Sequence, residues 1–407
     1  MKIVEKIDKL CPLISQEKLA AYAKLFRNEL IKALSNQNSS LPTILNPISK
    51  IRPRPGFGVV VAVGGTNGYV SAFQVREEGI IKFLNRKTFS LPENTTREDL
   101  FHLMTRNVLS VANGRKKHFP IGIGFAYPLK PLLVHKYIDG ELLYMSKGRI
   151  IESLVGKKVG QEYHKFLIKE YGMDTNVAVA NDAICLLLGG DGAEVAGVVG
   201  TGLNFSYWDK RASIAPMKLN ELSGFGQGEV AINIESANFD KVEGTKLREI
   251  VDKKSDDLGY SLSEKESSGA YLYRIFNAGK DEIVGADFPT LISTDQLNDI
   301  LTGAFEYPPK ITDNKKQITK KFAERIFHRS AQIVSIQLCG ILLKLGKTKG
   351  LTPVIMEGGI FWKAHNYPAL VNLYMNQILP EVIPSFARLF GSSRRGIAIL
   401  ASGISNH

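Results

Sequence analysis

Two short glycine turns constrain this chain more than any other feature. In VVVAVGGTNGYVSAFQV, residues 59–75, the turn Gly64-Gly65-Thr66-Asn67-Gly68 joins two apolar runs rich in β-branched residues. In VAGVVGTGLNFSYW, residues 195–208, Gly200-Thr201-Gly202 does the same. Such runs around Gly-rich turns predict antiparallel hairpins. Residues without Cβ let backbone N–H groups come close to an anion, and a threonine hydroxyl adds a donor, so both tips are candidate phosphate cradles. Asn-Gly is also an ordinary hairpin turn, so it is the pair of tips that carries the reading. A dinucleotide-binding fold is disfavoured, because neither tip is GxGxxG and a strand rather than a helix follows each.

Periodicity fills in the rest. Residues 16–34 read as an amphipathic helix, and a Ser-, Asn- and Pro-rich loop follows over 35–55. Strand-like runs at 59–63, 69–75 and 80–88 precede a helix at 97–112, a strand at 121–126, a helix at 161–171 and a strand at 177–180. The order then restarts at the second hairpin, with helices at 267–278, 294–305 and 317–345, a strand at 353–356 and a helix from Tyr367. Two α/β lobes, each opening on a glycine-tipped hairpin, predict a substrate cleft between them. The expected division is a small lobe at 57–183 and a large lobe at 184–407, with residues 1–56 packed on the large one.

A chain of 407 residues carrying 52 Lys and Arg against 40 Asp and Glu is basic, at net charge +12. That favours an anionic partner. The basic residues are scattered and lack aromatic interleaving, so a nucleotide fits them and a nucleic acid is not expected. Three widely spaced cysteines predict neither a disulfide framework nor a zinc site, and no metal-ligand cluster is expected. No signal peptide and no membrane-spanning run is expected, which makes the expected location cytoplasmic.

Two further stretches carry chemistry. In VAVANDAICLLLGG, residues 177–190, Asn181-Asp182 ends an apolar strand and starts an apolar helix. Asp182 there is either a helix cap or a carboxylate placed to take a proton from a hydroxyl. In YMSKGRI, residues 144–150, Lys147 is a cation able to balance that carboxylate or a phosphoryl group.

In this order the motifs resemble those of the hexokinases. Residues 61–67, VAVGGTN, are similar to the family's LDLGGTN, and residues 124–128 to its FSFP. Met145-Ser146-Lys147-Gly148 resembles WTKGF, residues 179–182 resemble LVND, and Gly200-Thr201-Gly202-Leu203-Asn204 resembles GTGTN. Asn220-Glu221 resembles the start of NMEWGAFG, one residue out of step. Residues 251–271 follow the family's VDxxSxNPGxQxFEKMxSGxY, Glu357-Gly358-Gly359 resembles VDGSVY, and residues 393–396 resemble SGKG.

The resemblance implies a two-lobed actin-like ATPase (ribonuclease H-like) fold with a central cleft and an ATP-dependent hexokinase that phosphorylates the 6-hydroxyl of glucose or a related hexose. It implies a hexose held by Ser146, Lys147, Asn181, Asp182, Asn204, Glu221 and Glu264, with Asp182 as general base and Lys147 beside it. It implies ATP and Mg²⁺ as cofactors, with Gly64, Gly65, Thr66, Asn67, Gly200, Thr201 and Gly202 at the phosphates and Gly358, Gly359 and Ser393 bordering the adenosine. Three departures stand out: the family's aspartate before GGTN is Ala62, its GGTNFR arginine is Tyr69, and its FSFP serine is Ala126. They leave a second expectation open, a hexokinase-like sugar sensor of weak or no activity. A nucleotide-binding structural protein of the same fold is a third.

Overall fold

The structure is a computed structural model that describes residues 3–48, 53–115, 118–134, 137–145, 150–190, 192–222, 228–388 and 391–402. The chain forms two compact units. One comprises Thr43–Gly197, Phe205–Ile234 and Arg388–His407; the other comprises Met1–Pro42, Val198–Asn204 and Glu235–Ala387. The units therefore interleave along the chain more than the sequence reading, with its boundaries at 56/57 and 183/184, expected.

The first unit is built on a five-stranded sheet in the order Val177–Asn181, Ile121–Phe125, Gly56–Val63, Asn67–Val75, Ile81–Ser90. The first three strands are parallel and the last two antiparallel to their neighbours. The first expected hairpin is thus present, with Ala62 opposite Tyr69 and Val63 opposite Gly68. Alternation along Ile121–Phe125 assigns its two faces. Ile121, Ile123 and Phe125 join Val59, Val61 and Val63 in a core that also takes in the helix Arg97–Ala112. Gly122 and Gly124 face the other way, where a Cβ on either would collide with Ile397 of the helix Ser392–Ala401. The missing side chains are what let that helix lie on the sheet. Gly396 repeats the device, since a Cβ there would strike the Cys185 carbonyl.

The helix Val159–Tyr171 has no side-chain cap of its own. Asp139 supplies it from a distant strand, accepting bonds from Gly160 N (2.7 Å) and Gln161 N (2.9 Å), which satisfies donors that a helix start leaves open.

The second unit is organised by the helix Asp313–Lys344. It is long and apolar enough to cross a membrane by length and composition, yet 89% of its most apolar stretch is buried inside the protein. The helix Gln16–Leu34 packs along it at Gly340, where a Cβ would stand 2.6 Å from the Phe26 ring. Phe26 in turn meets Phe239 edge-on at 4.9 Å. Phe276 of the helix Leu272–Ile283 stacks on Phe322 at 5.1 Å. The strands Gly350–Glu357 and Val382–Ala387 run parallel in this unit.

Several elements differ from expectation. The helix expected from 267 begins at Leu272, because Gly269 and Ala270 N–H groups bond instead to the carbonyls of Gly200 and Thr201. The loop at 35–55 contains a strand, Ile44–Asn46, which pairs with Glu229–Asn233. The hairpin Leu129–Val134 with Tyr137–Leu142 and the helices Ile3–Leu10 and Ser392–Ala401 had no sequence expectation.

If the sheet depends on its glycine face, Gly122→Val forces Ile397 and its backbone away and should lower unfolding stability by roughly 1–3 kcal/mol, the scale of overpacking. An unchanged urea midpoint would show that the helix Ser392–Ala401 is not held there.

Candidate active site

The candidate residues fall into two groups, one in each unit. In the unit that holds Glu235–Ala387, the second hairpin tip is enclosed by backbone alone. Gly200 N–H donates to Gly202 O at 2.9 Å, closing the turn. Gly200 O accepts from Gly269 N at 2.7 Å, and Thr201 O accepts from Ala270 N at 3.1 Å. A Cβ at Gly200 would lie 3.1 Å from Gly358 Cα, and one at Gly269 would lie 2.9 Å from Gly200 O. Gly358 itself has φ +114°, with Val199 O where its Cβ would go, so no other residue fits without strain. Gly200, Thr201, Gly202, Gly358 and Gly359 are therefore one structure rather than two separate loops. The Ser268 hydroxyl beside it is fully buried and bonds to nothing among the described residues. A buried orphaned donor at a glycine cradle is the kind of group a ligand oxygen would satisfy.

Next to this tip stand the acidic and amide side chains. Glu264, 3% exposed, accepts Leu203 N–H on Oε1 at 2.9 Å. Asn204 Oδ1 accepts Ser236 N–H at 3.2 Å. Ser263 closes the ring, its N–H on Ala237 O (3.1 Å) and its hydroxyl on Phe239 O (2.7 Å). These bonds bring Asn204 and Glu264 together as expected.

They also bring in Glu235, which the sequence reading missed. Glu235 is 7% exposed, follows the strand Glu229–Asn233, and adopts left-handed backbone at φ 55°. A glutamate in that conformation is uncommon, and such strained positions concentrate at functional sites. Glu221, the residue chosen from sequence, lies in the other unit, is exposed, and pairs with Lys218 at 3.0 Å. The signal was available: Asn233-Ile234-Glu235 has the Asn-x-Glu spacing that Asn220-Glu221 lacks.

Glu264 is fixed by its neighbours. Lys265 is fully buried, with Nζ on Asp252 Oδ1 (2.6 Å), Asp257 Oδ1 (2.9 Å) and the carbonyls of Asp257 and Tyr260. Burial alone would raise the Asp252 carboxyl, but the bonds from Lys265 and Gly259 outweigh it and hold Asp252 below its ordinary value. A carboxyl so lowered stabilises the fold above its unfolded pKa, and that contribution is lost as pH falls through the folded value.

In the other unit, the first tip is tied by Gly64 N–H to Asn67 O at 3.1 Å, and a Cβ on Gly64 would lie 2.7 Å from that oxygen. Thr66 O accepts from Leu91 N, and Asn67 Nδ2 lies 3.3 Å from Thr66 Oγ1. Gly65 and Thr66 stand at the partly open apex. Ala62 sits in register beside Gly124 and opposite Tyr69, so no carboxylate precedes this turn. Tyr69 reaches Ser393 instead, hydroxyl to hydroxyl at 3.3 Å. No group of three His, Cys, Asp or Glu among the described residues could hold a metal ion.

Asn181, not Asp182, caps the helix Asp182–Gly189: its Oδ1 accepts Ala183 N–H at 2.9 Å while its Nδ2 donates to Tyr127 O at 3.2 Å. The amide is 4% exposed and both its ends serve the backbone. Asp182 is then the first helical residue, half-buried, with Oδ1 accepting the same Ala183 N–H at 2.8 Å. Ser146 and Lys147 lie outside the described residues.

Comparison with known proteins follows the same line. The family described as Hexokinase matches residues 4–191 with its first part and residues 194–278 and 283–402 with its second. The chain is 27% identical to Hexokinase-1 of Schizosaccharomyces pombe, over 82% of this chain and 76% of that protein. It is 24% identical to Hexokinase-1 of Nicotiana tabacum, over 99% and 90%. Among solved structures, the hexokinase from Schistosoma mansoni complexed with glucose superposes at TM-score 0.87 and 18% identity, covering 98% of this chain and 99% of the other. Another hexokinase crystal structure superposes at 0.74 and 20% identity, over 98% and 99%. This likeness shows that the chain has the actin-like sugar-kinase fold.

Lys265→Met would leave Asp252 and two carbonyls without their donor. The expected loss is about 3–5 kcal/mol, as for other broken buried pairs. Acid unfolding should also lose the share that titrates with Asp252. A variant as stable as the parent at neutral pH would show that the lysine is not needed to hold Glu264.

Proposed function

The chain belongs to the hexokinase family and phosphorylates hexoses, and on that premise we propose that Asp182 is its general base and that Asn204, Glu235 and Glu264 hold the sugar. The carrying observation is the place of Asp182, half-buried at the first position of the helix Asp182–Gly189, where it shares the Ala183 N–H with the capping residue Asn181. A carboxylate at a helix start is favourably placed, because the helix dipole there favours negative charge. From that position Asp182 takes the proton of the hexose primary hydroxyl on its carboxylate.

Asn204, Glu235 and Glu264 suit adjacent sugar hydroxyls because carboxylates accept and an amide both accepts and donates, with fixed geometry. Glu235 takes the place given to Glu221 by the sequence reading. Asn181 acts by fixing the backbone, while Ser146 and Lys147 keep the sugar and charge-balancing roles that the resemblance implies. Glucose, the sugar complexed with the Schistosoma hexokinase, is the hexose we propose.

The residues present also fit a nucleoside triphosphate. The cradle at Gly200–Gly202 and Gly358–Gly359, which a Cβ would fill, and the orphaned Ser268 hydroxyl beside it are built for phosphate oxygens. ATP would supply the phosphoryl group when bound, and Mg²⁺ would offset the negative charge of the phosphates. Gly64, Gly65, Thr66 and Asn67 offer the second turn for those phosphates. Three buried thiols outside any disulfide, Cys11, Cys185 and Cys339, fit a reducing compartment, and we propose the cytoplasm.

Asp182→Asn should lower kcat by roughly 10²-fold or more, the scale of general-base loss, while glucose affinity changes far less. A coupled ADP-release assay and a glucose titration check this, and near-normal kcat would remove Asp182 from the chemistry.

The assignment of Glu235 has its own test. Glu235→Ala should weaken glucose binding by roughly tenfold or more, the loss of one charged hydrogen bond, and Glu221→Ala should leave it nearly unchanged. The reverse pattern would restore Glu221.

A further inference from the structure

Among the described residues, two arginines near the first hairpin tip have no acidic partner. Arg86, on the strand Ile81–Ser90, lies opposite Ser71 and places its guanidinium carbon 4.8 Å from the centre of the Tyr69 ring. Arg394, in the first turn of the helix Ser392–Ala401, places its own 3.9 Å from the centre of Phe83. Tyr69 and Ser393 join the two through their hydroxyls at 3.3 Å. Among the described residues, neither guanidinium makes an ion pair, and Arg394 Nε is buried without any hydrogen-bond partner.

This arrangement is costly unless something negative completes it. Burial lowers the Arg394 guanidinium from its ordinary value; Tyr69 works to raise it, and the nearby positive charge of Arg86 lowers it further. Arg86 is exposed, so the cost falls on Arg394, whose Nε is buried without a partner, and the like charge of Arg86 adds to it. The aromatic faces of Tyr69 and Phe83 hold both planar forks in place, which reduces the entropy lost when they bind. Two preset forks beside two hydroxyls match the oxygens of a phosphoryl group, which an arginine meets through parallel N–H bonds. A carboxylate ligand would need only one such fork. The cluster stands two residues beyond Asn67, at the foot of the turn Gly64–Asn67, so phosphates at that turn come with the charge to reach it.

We propose that Arg86 and Arg394, with the Tyr69 and Ser393 hydroxyls, form an anion site that takes a phosphoryl group of the nucleotide. The identity of the source rests on the hexokinase reading; the anion site itself does not. It places Ser393 at a phosphate rather than beside the adenosine, and it gives this chain its phosphate-facing cations from the strand Ile81–Ser90 and the terminal helix.

The test uses the full chain and three probes without hexose: inorganic phosphate, tripolyphosphate and ATP, each read by calorimetric titration. Arg86→Gln and Arg394→Gln should each weaken tripolyphosphate and ATP binding by roughly tenfold or more, the scale of a lost charge-assisted hydrogen bond. Arg86→Lys should recover part of it. Turnover should show a matching rise in KM for ATP, with glucose affinity little changed, which also confirms that the variants fold. Unchanged affinity for all three probes would overturn the site. Weakened binding of inorganic phosphate with ATP binding intact would overturn the nucleotide as its source. Failure of the hexokinase reading would appear separately, as no ADP formed by the parent protein with any hexose while the binding experiments still report.

Discussion

Three consecutive charged residues, Glu264, Lys265 and Glu266, are all buried, and each must be paired to be tolerated there. Much of one unit is arranged to do so. Glu264 takes the Leu203 N–H at the base of the second hairpin. Lys265 gathers the turn from Asp252 to Tyr260 around its ammonium group. Glu266 accepts Thr245 N–H at 3.1 Å and meets Arg329 of the long helix at 3.4 Å. Arg329 continues to the carbonyls of Glu243 and Pro12. The proposed sugar ligand is thereby tied to the hairpin tip, the preceding loop and the central helix at once. Any of these connections left unmade would strand a buried charge, which makes the local geometry close to all-or-none.

The two glycine turns depend on a different constraint, the absence of side chains. At the second tip, four glycines stand so close that their backbones substitute for packing. At the first, Gly64 lies against Asn67 O, and Gly68 lies where a Cβ would strike the Phe89 ring and the Ala62 carbonyl. The same logic holds one helix on the sheet through Gly122, Gly124 and Gly396. Electrostatics then differ between the turns. Ala62 precedes the first turn, and the guanidinium groups of Arg86 and Arg394 stack on Tyr69 and Phe83 beside it, which is the basis of the proposed anion site.

The residues that sequence reading placed well are those whose local pattern carries their chemistry. Gly200-Thr201-Gly202 announces a turn, and Asn181-Asp182 announces a strand end with a helix start. Which of that pair caps was not legible, since both side chains are suited to it and only the approach of Tyr127 O decides for Asn181. Glu221 was chosen because Asn220-Glu221 resembles the start of a family motif; its exposure and its bond to Lys218 appear only once the chain has folded. Glu235 escaped because its distinction is conformational, a left-handed backbone after a short strand, and no single residue type announces that.

By itself the sequence determined the two glycine-tipped hairpins and the alternation of strands and helices, because β-branched runs, glycine turns and helical spacing act over a few residues; the acid and amide residues proposed for a sugar came from its resemblance to the hexokinases. Only the tertiary structure decided that residues 198–204 are enclosed by 268–270 and 358–359, that Ser267–Tyr271 gives up helix to bond that hairpin, and that the Ser236 N–H on Asn204 Oδ1 brings the neighbouring Glu235 beside Asn204. Those outcomes come from backbone groups tens to hundreds of residues apart competing for the same partners. Competition of that kind is settled by which buried donors and acceptors can all be satisfied together, and a linear pattern does not contain that information.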